Sequence, residues 1–389
     1  MIKREAANIL IDLSKGYYIV VVTGPRQSGK TTLVQQVFSD KRYVSLEDPD
    51  EKEFAEQDPR RFISRFREGA VLDEVQRCPK LFSYLQSRVD TDRRPGQFIL
   101  TGSQQFGLLT GITQSLAGRA GLLELLPFSL KEVLNSPGAP ADTDELLYKG
   151  LYPPLYDRDV TPASWHRSYI QTYVERDVRQ LINIRDLSTF QRFIRMCAAR
   201  VGQLLNLSGL ANECGITHNT AKAWISVLEA SYIIFLLLPH YRNYNKRLVK
   251  TPKLYFYDSG FAAWLLGIRN VDQLSIHALR GSLFESWVIS ELVKGRYNRG
   301  LESNLYFWRD NTGNEVDVIV EQGAGLLPIE IKSGQTLTQD AFIGLRKWLS
   351  LAGDDAGNAY LCFGGDEGYE RSGVTVLSWR QIGDLAMDI

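Results

Sequence analysis

Cysteine and histidine are scarce, at four residues each in a chain of 389. Cys78, Cys197, Cys214 and Cys362 form no CxxC pair. That excludes a disulfide scaffold and, with the histidines isolated, a zinc module. Thiols so scattered are expected to be reduced, in the cytoplasm. Long apolar runs are also missing. The longest, Tyr232 to Leu238, falls far short of the roughly 18–20 residues that cross a bilayer, so no membrane partner is expected. The first residues lack the apolar run and cleavage site of a secretory leader. No repeat at the roughly 20–50-residue period of a solenoid is visible. Net charge is absent too, with 45 Lys+Arg against 45 Asp+Glu. The balance hides a segregation: residues 158–250 carry 13 basic and 6 acidic side chains, residues 251–389 carry 12 and 18. A basic middle suits a polyanion contact and, equally, a solvated helical surface.

What is present is the composition of an ordinary globular chain, 44% hydrophobic and 23% charged, long enough for two or three folded units. Short apolar runs at Tyr18–Val22, Ala70–Leu72 and Phe98–Leu100 alternate with helical patterns, as in a parallel sheet covered on both faces. Asn135–Asp144 is rich in Pro, Gly and Asp and reads as a linker or exposed loop. Helical periodicity dominates from Trp165 to Ala230. Strand-like runs return at Leu305–Arg309, Glu315–Val320, Leu327–Lys332, Ala359–Phe363 and Val374–Ser378, with a helix over Ala341–Leu351. The expected domains are 1–155, 156–260 and 261–389, an α/β, mainly α, α/β succession.

The first chemistry lies between a strand and a helix. Gly24-Pro25-Arg26-Gln27-Ser28-Gly29-Lys30-Thr31, followed by Thr32, matches G-x-x-x-x-G-K-[ST], the Walker A pattern. Its glycines let backbone N–H groups wrap a polyphosphate at a helix N-terminus. Lys30 adds a point charge for the β- and γ-phosphates of ATP, and the Thr31 hydroxyl is placed to hold Mg²⁺. Ala70-Val71-Leu72 closes on Asp73 and Glu74, a Walker B pattern. Asp73 is expected in the Mg²⁺ shell and Glu74 on the attacking water. A third strand ends in Thr101-Gly102-Ser103, where a hydroxyl is expected to sense the γ-phosphate. Arg119, in SLAGR, is expected to neutralise transition-state charge in cis or from a neighbouring subunit, against a plain ion-pair role.

With GPRQSGKTT (24–32), VLDEVQ (71–76), LTGSQ (100–104) and SLAGR…LLPFSL (115–130), the sequence resembles AAA+-type P-loop ATPases. More narrowly, it resembles the bacterial and archaeal group that joins such a module to a C-terminal domain of unknown function. The resemblance covers nearly the full length. It implies an ATP-binding, ATP-hydrolysing module with an AAA+-like fold.

Leu207–Gly215 followed by Ile216–Trp224 reads as helix, glycine turn, helix, with Thr217 as N-cap. Ala221, Trp224, Ile225 and Leu228 share the core face, leaving His218, Asn219 and Lys222 outside. The run Ile233–Leu238 then reads as the strand of a wing, trailed by Arg242, Lys246, Arg247 and Lys250. This layout is a winged helix-turn-helix, a DNA-binding arrangement, with domain packing or oligomerisation as the competing use. Farther on, Glu285 opens a helical stretch, Asp317 lies on a strand opposite its valines, and Glu330 and Lys332 share one strand face. An acid on a helix, an acid on a strand and an E-x-K on the next resembles the PD-(D/E)xK nuclease superfamily. By that resemblance Glu285, Asp317 and Glu330 would hold a second Mg²⁺ or Mn²⁺, and Lys332 would serve the attacking water.

Two functions follow as expectations. One is an Mg²⁺-dependent ATPase whose cycle drives or gates contact with DNA, with a nuclease-like domain attached. The other is an ATP-gated switch or assembly scaffold, oligomeric or joined to a protein partner, whose nuclease-like domain does not cleave.

Overall fold

A computed structural model describes residues 2–103, 115–174, 187–240, 249–323 and 325–389. It divides into two compact units. The first comprises Met1–Phe128 with Ala230–Tyr232 and Tyr297–Leu301; the second holds the remainder.

In the first unit, strands β1 (Ile19–Thr23), β2 (Arg42–Ser45), β3 (Ala70–Asp73), β4 (Phe98–Gly102) and β5 (Ala120–Glu124) form a sheet in the order β2-β3-β4-β1-β5. Every pairing is parallel. Parallel strands are buried on both faces and read as continuous apolar runs, and β1, β3 and β4 are buried throughout. Val20, Val22, Val71, Ile99 and Leu123 face a layer that includes helices α1 (Ala7–Gly16) and α2 (Lys30–Val37). Ile19, Val21, Leu72, Phe98 and Leu100 face the opposite layer, which includes α3 (Leu81–Thr91). Alternation along one strand therefore fills two cores. β4 lies between the strand that feeds the phosphate loop and the strand that ends in Asp73, so three C-terminal strand ends meet at one edge.

In the second unit, Pro, Gly and Asp in 135–144 do give turns, but Asp142 already caps a short helix, Thr143–Lys149, by accepting from Glu145 N–H. Helices α4 (Pro162–Tyr169), α5 (Leu187–Ala198), α6 (Leu207–Cys214) and α7 (His218–Ala230) follow. Gly215, in the left-handed conformation, ends α6, and Thr217 Oγ1 accepts from Thr220 N–H at the start of α7. Strands β6 (Ile234–Pro239) and β7 (Lys253–Phe256) pair antiparallel, and Leu204 bridges to Lys253. After β7 comes α8 (Ser259–Leu265), capped by Asp258.

The C-terminal part runs α9 (Arg280–Asn298), β8 (Leu305–Arg309), β9 (Glu315–Gln322), β10 (Gly325–Lys332), α10 (Ile343–Ala352), β11 (Ala359–Phe363), β12 (Tyr369–Arg371) and β13 (Val374–Ser378). Among the described residues the sheet has eight strands, ordered β12-β13-β11-β10-β9-β8-β6-β7. β8-β9-β10 is an antiparallel meander, whereas β10-β11-β13 is parallel. The run Ile233–Leu238, expected to be the strand of a wing, overlaps β6, which pairs with β7 and also continues this sheet through β8. Trp308, Trp348, Phe342 and Val376 are among the residues filling one of its faces.

Candidate functional site

The phosphate loop follows β1 without a spare residue. Gly24 has φ +145°, and a Cβ there would lie 2.1 Å from the Leu125 carbonyl oxygen, so only glycine fits. Gly29 turns left-handed immediately before α2. Pro25, Ser28 and Lys30 are buried, Arg26 and Gln27 half-buried, and Thr32 exposed. The Lys30 ammonium donates to the carbonyls of Gly24 at 3.0 Å and Pro25 at 2.7 Å. The Ser28 hydroxyl oxygen is buried with no hydrogen-bond partner, although a buried polar atom ordinarily has one. The loop is braced from behind by Arg4, which is also buried. Its guanidinium donates to the carbonyls of Ser28 at 2.6 Å and Leu126 at 2.7 Å and lies over the Phe128 ring.

Asp73 is the node of the site. Its carboxylate accepts from Thr31 at 2.9 Å, from the Tyr43 hydroxyl at 2.6 Å, and from Thr101. These donors come from α2, β2 and β4, brought together by the strand order. Burial first, and then the hydrogen bond to Asp73, push the Tyr43 phenol well above its usual range. Glu74 stands next door in the left-handed region, at φ 56°, a conformation few non-glycine residues adopt and one that clusters at functional sites. Its Oε2 accepts from Gln76 at 2.5 Å and from Ser103 at 3.2 Å. Lys30, Thr31, Asp73, Glu74, Thr101 and Ser103 are thus gathered at one edge. Thr31, Asp73 and the orphaned Ser28 hydroxyl suit a site for a metal-bound polyphosphate.

Arg119 requires a correction. It precedes β5, and its carbonyl accepts from Ile19 N–H, at the opposite end of β1 from the loop. Its guanidinium grips Asp90 of α3 with two bonds, 2.6 and 2.9 Å. The cis role is excluded by that distance along the strand, and the ion-pair role is what the residue performs here.

In the second unit the four expected carboxylate-site residues do lie close together. The register that sets Ile329 opposite Val318 carries Glu330 to Asp317. Asp317 accepts from the Ile331 N–H at 2.8 Å, and Lys332 donates to Glu330 at 2.5 Å. Two residues missed in the sequence complete the cluster. Lys253 on β7, itself buried, bonds Glu285 at 3.2 Å and also Glu315, while the Tyr255 hydroxyl donates to Glu285 at 2.5 Å. Burial, then repulsion from Glu330 and Glu285, raises the Asp317 carboxyl well above its ordinary range; burial likewise raises Glu330. Glu330 Oε2 has no partner, yet among the described residues no three such side chains are arranged to hold a metal. Glu285 shares the Lys253 ammonium with Glu315.

The sequence comparisons fit this geometry. A family model described as an AAA domain matches residues 16–134. Two models described as domains of unknown function, DUF8612 and DUF4143, match 140–272 and 280–382. The uncharacterized proteins Mb2031c of Mycobacterium bovis and Rv2008c of Mycobacterium tuberculosis are each 32% identical over 340 residues, covering 86% of this chain and 74% of theirs. The chain belongs to their family. Among solved structures, the Walker-type ATPase paby2304 of Pyrococcus abyssi aligns at 16% identity with a TM-score of 0.46, covering 67% of this chain and 94% of that one. AMPPCP-bound DnaA of Aquifex aeolicus aligns at 16% identity with a TM-score of 0.31, over 58% and 85%.

The AAA match covers the residues gathered around Asp73, and the helical middle lies outside it. On α7, His218, Asn219 and Lys222 are exposed, while Trp224 packs edge-on between Phe190 and Phe193. Arg242, Lys246 and Arg247 lie outside the described residues. No described helix is long and apolar enough to cross a membrane.

Proposed function

We propose that the chain is an Mg²⁺-dependent ATPase whose nucleotide cycle gates contact with DNA through the second unit. The observation that carries the ATPase reading is the Asp73 node. One carboxylate gathers the P-loop threonine and the ends of two further strands beside a lysine that heads α2. On nucleotide binding, Lys30 exchanges two loop carbonyls for phosphate oxygens, and the loop N–H groups complete the cradle. Thr31 and Asp73 would hold Mg²⁺, which when bound neutralises phosphate charge. Glu74, aimed by Gln76 and Ser103, orients the attacking water and takes its proton. Lys30→Ala is expected to abolish ATP hydrolysis; unchanged turnover would remove the assignment.

The winged-helix reading is supported by the order α5, Leu204, α6, α7, β6, β7, with His218, Asn219 and Lys222 exposed on α7. The order α9, three strands, α10, strand supports a nuclease-like fold for the C-terminal part. Its carboxylates are held by Lys253 and Lys332, which favours a domain that does not cleave. ATP turnover measured with and without DNA tests the gating, with faster turnover expected when DNA is present. A rate indifferent to DNA, together with a protein partner recovered only with ATP, would favour the switch instead.

A further inference from the structure

A groove of about 540 Å³ lies between α4, α5 and α8 of the second unit. Arg167 enters it from α4, Arg195 from α5, and Arg269 from just beyond α8, beside Trp264, Ser164 and Gln191. Among the described residues none that lines it is acidic. Several arginines elsewhere are tied to carboxylates: Arg65 to Glu51, Arg119 to Asp90, Arg200 to Glu213 and Arg280 to Asp144. Among the described residues none of the three groove arginines has such a partner, although like charges brought together repel.

The groove is also built rather than incidental. Arg269 uses one terminal nitrogen to bond the carbonyls of Trp264 at 2.7 Å and Ile268 at 3.0 Å. Its guanidinium lies over the Trp264 ring at 5.1 Å. Nε and the second terminal nitrogen of that fork remain for a ligand. Beneath, Trp165 stacks on Tyr169, and Tyr152, His166 and Phe261 pack around them. That aromatic floor joins α4, which carries Arg167, to α8, which Arg269 follows. Burial and then the neighbouring charge of Arg195 lower the Arg269 pKa, so an anion in the groove would relieve a repulsion already present.

We propose that this groove binds a single nucleic-acid strand, its phosphates on the three arginines. Guanidinium forks match phosphate oxygens two at a time, which a point-charge lysine does not. The Ser164 hydroxyl offers a donor and acceptor for sugar and base edges, and the indole of Trp264 offers an apolar surface beside it. The volume suits a nucleotide-sized segment and not a duplex. The inference rests on the nucleic-acid reading above but places the strand away from the exposed face of α7.

The test is fluorescence anisotropy of a labelled single-stranded oligonucleotide titrated with the full chain over a range of salt. Arg167→Ala/Arg195→Ala/Arg269→Ala should lose at least about tenfold in affinity, and the slope of log K against log salt should fall by about 2, three contacts at roughly 0.7 each. The single reversal Arg195→Glu should weaken binding in the same direction, with an unchanged melting temperature showing an intact fold. Lys80→Ala, an exposed lysine outside both proposed nucleic-acid surfaces, should leave single-strand affinity within about twofold. If the parent binds the strand and the triple variant binds as tightly with the same salt slope, the groove assignment is overturned while the nucleic-acid reading stands. If the parent binds no oligonucleotide, that reading fails and takes the groove with it. Competition by an acidic polypeptide as strong as by the oligonucleotide would overturn the nucleic-acid assignment in favour of a protein ligand.

Discussion

Arg4 illustrates how a residue remote in sequence can hold a loop. Its two carbonyl acceptors belong to Ser28 in the phosphate loop and Leu126 beyond β5. Arg4→Ala would leave both buried and unpaired, which costs about 3 kcal/mol. A lower melting temperature together with weaker nucleotide binding is the expected outcome, and Arg4→Lys should rescue little, because a point charge does not replace the fork. His166 makes a pH prediction. Burial first, opposed by the Lys149 carbonyl and reinforced by Arg269, lowers its pKa from 6.5 to about 3. Between those values the unfolded chain binds a proton that the folded chain does not. The stability contribution is therefore complete above pH 6.5 and is lost as pH falls, by about 1.4 kcal/mol at pH 5.5. Urea unfolding at pH 7.5 and 5.5 measures it, and His166→Gln should flatten that part of the difference.

Strand ends carry the chemistry at the level of elements. Lys253 comes from β7 but serves acids on α9 and β9. Lys253→Met should destabilise the second unit by about 3 kcal/mol by leaving Glu285 uncompensated, and Glu285→Gln in the same chain should restore part of that loss, both read from urea midpoints. Much of this architecture was legible beforehand. The runs at 305–309, 359–363 and 374–378 coincide with strands, because alternating or fully apolar patterns reflect burial directly. The phosphate loop was legible because its glycines are demanded by backbone geometry, as Gly24 against Leu125 shows. Lys253, Tyr255, Tyr43 and Arg4 were not, since each reaches its partner only through strand order or a long chain excursion. For Arg119 the SLAGR pattern left the cis, trans and ion-pair roles open, because local pattern does not reveal which end of the sheet a residue occupies. The pairing of β6 with β8 was not legible, because local pattern does not reveal partners so far along the chain.

At the scale of the whole molecule, an AAA domain is followed in sequence by a helical region whose groove gathers Arg167, Arg195 and Arg269. Ligand that binds only the folded state raises its stability. ATP with Mg²⁺ should therefore raise the melting temperature of the parent and of Glu74→Gln, and not that of Lys30→Ala. The central claim is that residues 24–31 and the acids at 73 and 74 form one working site. It is tested most directly by measuring ATP binding and ATP turnover side by side in the parent, Lys30→Ala and Glu74→Gln. The account predicts that the lysine variant loses both, and that the glutamate variant still binds ATP while turnover falls by at least about 100-fold. Turnover at the parental rate in both variants would contradict it.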